Sequence, residues 1–131
     1  MLQKLGNIFG PMAEEKKLFF NMSINDRVPS VVYQDEQRLG QVLVNIIGNA
    51  VKFTFNGSVS VNIDVFEEDT KKIKIVIRDT GKGIERLETV GQMFGNLEVL
   101  ERVNQNGIGF GLSISKRLVE KLGGTISFLN V

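Results

Sequence analysis

The sequence predicts an α/β two-layer sandwich: a mixed, mostly antiparallel sheet with helices on one face. Three stretches predict it. Residues 35–54, DEQRLGQVLVNIIGNAVKFT, separate at about 100° per residue into a broad apolar arc and a narrow polar stripe. From Ser58 through Val65 polar and apolar residues alternate without interruption, and a charged turn after Phe66 then leads into a second apolar run, Ile73 to Arg78. Three alternate glycines, Gly107, Gly109 and Gly111, open a final amphipathic segment. The resulting order is helix, strand, helix, hairpin, loop, helix, strand, and elements with one apolar face each bury it by stacking in two layers.

In chain order, Leu2, Leu5, Ile8, Phe9 and Met12 at helical spacing predict a first helix over residues 1–15. Gly10 and Pro11 predict a break in it, followed by a short helical piece through Lys17. Leu18 to Ile24 is the first expected strand, Asp26 to Pro29 a turn, and Val31 to Tyr33 a short extended piece. Asp35 is the predicted N-cap of the central helix. Its apolar arc holds Leu39, Val42, Leu43, Ile46, Ile47, Ala50 and Phe53. Asn56-Gly57 ends it as a left-handed cap or tight turn. Ser58 to Phe66 reads as a half-buried antiparallel strand, Glu67 to Lys72 as a solvated turn, and Ile73 to Arg78, nearly all apolar, as a more central strand. Glu85 to Phe94 is expected to form a short helix, while Gly95 to Asn106 lacks periodicity. The last helix should bury Leu112, Ser115, Leu118, Val119 and Leu122, stop at Gly123-Gly124, and lead to a strand from Thr125 to Leu129.

Composition narrows the function classes. The chain of 131 residues suits one domain, residues 1–131, and its beginning reads as a piece cut from a longer polypeptide. A net charge of +1 gives no footprint for nucleic acid or an anionic membrane. No apolar run approaches the roughly 20 residues of a membrane span, and the start has no signal-peptide pattern. With neither cysteine nor histidine, thiolate chemistry and the commonest general base are excluded.

Candidate chemistry sits in three places. Gln41, Asn45, Asn49 and Lys52 share the polar stripe of the central helix, with Arg38 beside them. Two asparagines one turn apart on a largely apolar helix are costly unless a partner satisfies them. The stripe is either a solvated edge or a wall facing a ligand cleft. IVIRDTGKGI places Asp79 at a strand end before two glycines; such a carboxylate accepts a hydrogen bond from an exocyclic amine, although alone it reads first as an ordinary Asp-initiated turn. NGIGFGLSISKRL leaves free N–H groups at a positive helix end, the way phosphates are commonly held and also a common structural helix start. It is neither a Walker loop nor a Rossmann fingerprint.

Taken together and in order, NIIGNAVKFT, DTGKGI and NGIGFGL resemble the ATP-binding catalytic domain of sensor histidine kinases. This Bergerat-type fold is shared with DNA gyrase, the heat-shock chaperone ATPases and the mismatch-repair ATPases. PMAEEKKLFF and LSISKRLVEKLGGTISF extend the resemblance over nearly the whole length. The resemblance implies that Asn49 holds Mg²⁺ through its side-chain oxygen and that Asn45 lies near the metal and phosphates. It implies that Lys52 reaches the phosphates and that Phe53 lines the adenine site. Asn45, Asn49 and Lys52 would then form the catalytic set. Asp79 would recognise the adenine amino group, with Gly81, Gly83 and Ile84 beside the base. Phe94 would stand at the front of a lid. The backbone of Gly107, Gly109 and Gly111 would wrap the triphosphate, and Ile108, Phe110 and Leu112 complete the implied ATP-binding residues.

The sequence departs from the family pattern in the lid. Leu97 stands where a second phenylalanine is common, and Ile108 replaces a hydroxyl-bearing residue between glycines. Glu98 and Glu101 add carboxylates, partly offset by Arg102.

Position 45 bears on the reaction. Gyrase-like ATPases carry a water-activating glutamate there, whereas Asn45 accepts no proton at neutral pH, which disfavours hydrolysis. The resemblance therefore implies phosphoryl transfer from Mg-ATP to a histidine on a separate dimerisation domain of the parent protein. From there the group passes to a response regulator or receiver domain. A histidine-free chain cannot itself be the acceptor. The fragment is expected to be cytoplasmic, without nucleic-acid or membrane contact. The alternatives are a nucleotide-binding pseudokinase module, which the lid departures motivate, and a stand-alone ATPase.

Overall fold

The computed structural model describes residues 1–81 and 109–128. They form three helices, α1 (Leu2–Glu15), α2 (Glu36–Phe53) and α3 (Gly109–Lys121), and three strands, β1 (Phe19–Ile24), β2 (Ser58–Val65) and β3 (Ile73–Asp79). They divide into two compact units. Residues 1–33 with 50–81 make the first; among the described residues, 34–49 and 109–128 belong to the second.

The first unit is built on the sheet, whose order is β1-β2-β3. β1 pairs with β2 in parallel and β2 with β3 antiparallel. The parallel pair needs a crossover, and the stretch containing α2 provides it; the seven-residue turn from Phe66 to Lys72 closes the antiparallel hairpin, with Phe66 N–H donating to Lys72 O at 2.8 Å. Val59, Val61, Ile63 and Val65 of β2 are all buried, their relative exposure 0–6%, while the intervening side chains are half-buried. Register places Phe20, Met22 and Ile24 of β1, and Ile73, Ile75 and Ile77 of β3, on the same face as those β2 residues. α1 covers this face: Leu5, Phe9 and Ala13 are buried, and Gly6 lies over the Met22 sulfur. The opposite face is mostly polar, carrying Asn21, Ser23, Ser60, Asn62 and Asp64, with Phe19 and Val76 as its apolar members. Arg27 pairs with Asp64 there at 2.8 Å. Desolvation pushes the Asp64 carboxyl up, but the Val65 N–H, the Arg27 guanidinium and the Lys74 ammonium together hold it below the ordinary carboxylate value.

Three expectations change. α1 runs unbroken through Gly10 and Pro11. Gly10 has no Cβ for the proline ring to strike, and burial of Phe9 and Ala13 on either side offsets the lost backbone hydrogen bond. The middle strand among those described is β2 rather than β3, whose side chains are at most half-buried. Strict alternation marks β2 because only one of its faces is covered; the apolar run of β3 contributes Val76 to the open face, opposite Asn62. Finally, Thr125–Phe128 have no regular secondary structure, and Leu129 lies outside the described residues. A segment of strand-forming composition becomes a strand only by pairing.

In the second unit α2 begins as expected. Asp35 Oδ1 accepts the Arg38 N–H at 3.1 Å, an N-cap, and Asp35 O accepts the Leu39 N–H at 3.0 Å. α3 opens at Gly109 and ends in a Schellman motif: Gly124 N–H donates to Val119 O at 2.9 Å, Gly123 N–H to Glu120 O at 3.0 Å, and Gly123 has φ +82°. Ser115 is buried, and Leu118, Val119 and Leu122 are half-buried. No helix among the described residues is long and apolar enough to cross a membrane.

Candidate nucleotide site

α2 carries the polar stripe through its 18 residues. Val42, Leu43, Ile47, Ala50 and Val51 are buried, which orients the helix. Asn45 and Asn49 are half-buried, and Gln41 and Lys52 are exposed. Neither asparagine has a side-chain hydrogen-bond partner among the described residues. Asn49 Oδ1 is a hard neutral oxygen, suited to a cation that accepts few protein ligands and keeps water and phosphate around it. The described residues contain no cluster of three or more His, Cys, Asp or Glu able to hold a metal. The Lys52 ammonium stands 5.2 Å from the centroid of the Phe53 ring and forms no ion pair among the described residues.

The end of α2 and the end of β3 meet in the first unit. Asp79 closes β3, its Oδ1 accepting the Gly81 N–H at 2.9 Å. This turn leaves Oδ2 without a protein donor among the described residues, on an exposed carboxylate. A Cβ on Gly81 would lie 2.8 Å from Phe53 O, 2.9 Å from Asp79 Oδ1 and 3.0 Å from Thr54 Oγ1. Only glycine lets the strand end approach the helix end this closely. Phe53, Asp79 and Gly81, three residues expected of one site, are therefore brought together. The Thr54 hydroxyl beside them is fully buried and has no hydrogen-bond partner among the described residues. It is a ligand-side candidate that the sequence reading passed over, although it closes the NIIGNAVKFT box.

Two further side chains fix this corner without any local sequence signal. Thr80 Oγ1 accepts the Ser58 N–H at 2.9 Å and donates to Asn56 O at 3.3 Å, fastening the loop after α2 to the loop after β3. Gly57, with φ +114°, leaves room for it, since a Cβ there would sit 1.9 Å from Thr80 Oγ1. Of the two roles expected of Asn56-Gly57, helix cap or tight turn, the positive φ of Gly57 serves this loop contact and not a cap on α2. The carbonyls at the end of α2 are instead met by Lys16, whose Nζ donates to Val51 O and Lys52 O.

The other expected site residues divide by position. Gly109, Phe110, Gly111 and Leu112 form the first turn of α3, in the second unit, so two glycines of the box lie inside the helix rather than before it. Gly83, Ile84, Phe94, Gly107 and Ile108, with the lid residues Leu97, Glu98, Glu101 and Arg102, lie outside the described residues.

Residues 34–130 match the family model described as histidine kinase-, DNA gyrase B- and HSP90-like ATPase. The chain belongs to this family. Similar proteins include the signal transduction histidine-protein kinase BarA of Escherichia coli strain K12, 34% identical over 97% of this chain and 14% of that protein. The sensory/regulatory protein RpfC of Xanthomonas campestris is 32% identical over 98% of this chain and 18% of that protein. The chain thus spans less than a fifth of these relatives. Among solved structures, full-length ShkA in complex with AMPPNP superposes with a TM-score of 0.77 at 29% identity, over 96% of this chain and 25% of that one. The match to solved catalytic domains supports the α/β sandwich as the fold.

Proposed function

We propose that this histidine kinase-like ATPase domain is the catalytic domain of a longer histidine kinase. It binds Mg-ATP and transfers the γ-phosphoryl group to a histidine on a separate dimerisation domain. The group then passes to an aspartate of a response regulator or receiver domain, in the cytoplasm. The observation that carries the reading is the corner where Asp79, Gly81 and the last turn of α2 meet. Asp79 Oδ1 is committed to the Gly81 N–H, and Oδ2 accepts a hydrogen bond from the exocyclic amine of adenine. Gly81 lets the flat base approach backbone, and Phe53 adds an apolar wall.

Asn49 Oδ1 would hold magnesium, which when bound neutralises phosphate charge. Lys52 orients the phosphates as a point charge, and the N–H groups opening α3 bind them. Phosphoryl transfer needs mainly such positioning and charge neutralisation. The amide of Asn45 activates no water, so transfer to an imidazole is favoured over hydrolysis. The kinase names of the relatives and the AMPPNP complex of ShkA support the same reading.

The test mixes the chain with a histidine-bearing helical domain of its parent and γ-labelled ATP. Acid-labile phosphate on that domain is expected. Nucleotide binding without transfer would instead identify a pseudokinase module, and phosphate release without acceptor an ATPase.

A further inference from the structure

We propose that Lys16 is a positioning residue for the nucleotide site, a role that rests on the functional reading above. Lys16 is the C-cap of α1, with φ −85° and ψ 0°. Its backbone is pinned by a Schellman pattern: Lys17 N–H donates to Glu14 O at 2.9 Å and Leu18 N–H to Ala13 O at 2.8 Å. Lys17 supplies the left-handed residue this needs, at φ +59°. From that fixed point the Lys16 side chain crosses to a second helix end. Its Nζ donates to Val51 O at 2.5 Å and to Lys52 O at 3.0 Å, and lies 4.9 Å from the Phe55 ring centroid. The last carbonyls of a helix lack intrahelical donors and carry its negative end, so an ammonium there satisfies both needs.

The turn it holds is the one the site uses. Val51 is fully buried, which anchors that side. Lys52 presents the ammonium assigned to phosphate, and Phe53 O stands 2.8 Å from the Cβ position of Gly81. A shift of this turn would displace the phosphate-side lysine and the base-side glycine together. Lys16 thus acts on the nucleotide through α2, without touching it.

The test compares Lys16→Met and Lys16→Arg with Leu5→Val, a control that loosens the buried side of α1 and leaves α2 alone. Mg-ATP is titrated below the melting midpoint of every variant. In parallel, amide exchange at Thr54 and Gly81 is followed without nucleotide. Lys16→Met is expected to weaken Mg-ATP on the order of fivefold and to speed both amides. Lys16→Arg should restore both to within about twofold, because the cation is retained. Leu5→Val should melt lower yet bind as wild type. Faster exchange with unchanged affinity in Lys16→Met would leave Lys16 a structural cap only, and unchanged exchange would overturn its hold on the turn. A wild-type chain that binds no Mg-ATP overturns the functional reading, and this role with it.

Discussion

Two parts of the candidate site treat their polar groups in opposite ways. At the corner of α2 and β3, a set of cross-links ties the backbone: Lys16 to the Val51 and Lys52 carbonyls, Thr80 to Ser58 and Asn56, Gly81 to Asp79, with the Thr54 hydroxyl and Asp79 Oδ2 left open among the described residues. Along the middle of α2, Asn45 and Asn49 are half-buried and have no side-chain partner among the described residues. On the proposed function, a corner that reads a base gains from being set in advance, because a flat ring must meet a fixed carboxylate. Amides proposed to meet a metal and phosphates would gain from staying uncommitted, because any protein partner would compete with the ligand. Rigidity and readiness are thus separated along one helix.

The comparison can be broken at the tied corner first. Gly57→Ala forces a Cβ to 1.9 Å from Thr80 Oγ1 at a φ of +114°, and Gly81→Ala forces one to 2.8 Å from Phe53 O. Each should cost about 3 kcal/mol in urea unfolding, and Gly81→Ala should abolish ATP binding as well. A next, smaller effect is expected at the uncommitted stripe. Asn49→Ala should lower Mg-dependent ATP affinity at least tenfold (~1.4 kcal/mol) while changing unfolding stability by less than about 0.5 kcal/mol. A stability loss with unaltered affinity would reverse the roles assigned to the two regions.

Thr80→Val keeps the shape and deletes the hydroxyl, so about 1 kcal/mol of stability should go, read from the same urea curves. Nucleotide should then restore less protection to the Ser58 amide than in wild type. The smallest effect lies away from both regions, at Asp64. Its carboxyl is held below the ordinary value of 3.8, so the ion pair with Arg27 stabilises the fold above that value. This contribution disappears as pH falls through the lowered folded-state value. Asp64→Asn should therefore flatten the acid limb of the stability–pH curve and leave the neutral plateau nearly unchanged, the pair being exposed.

Local patterns carried much of this structure. The Asp35 cap, the arc of α2, the alternation of β2, the hairpin turn and the Gly123-Gly124 stop each depend on neighbours within a few residues, and each appears as the sequence indicates. Phe53, Asp79 and Gly81 were singled out only by the ordered boxes of the family resemblance; alone, Asp79 reads as an Asp-initiated turn, and its Oδ1 does accept the Gly81 N–H. Lys16, Thr54 and Thr80 were not singled out. A lysine in a charged run and threonines beside a helix end and a strand end look like many others, and the groups they lie against are distant in sequence, 35 residues away for Lys16 and Val51. Continuity of α1 through Pro11 was hidden for a related reason: local propensity argues for a break, and only burial of the flanking residues outweighs it.

The sequence by itself determined the elements, their capping and the family's residue boxes, since periodicity, turn chemistry and charge are short-range properties of the chain. Tertiary structure alone decided which strand lies in the middle, what caps the end of α2 and which hydroxyl stands beside Asp79 and Gly81. Those outcomes depend on which distant groups reach one another at hydrogen-bonding distance, and contact at that range is fixed only when the layers pack.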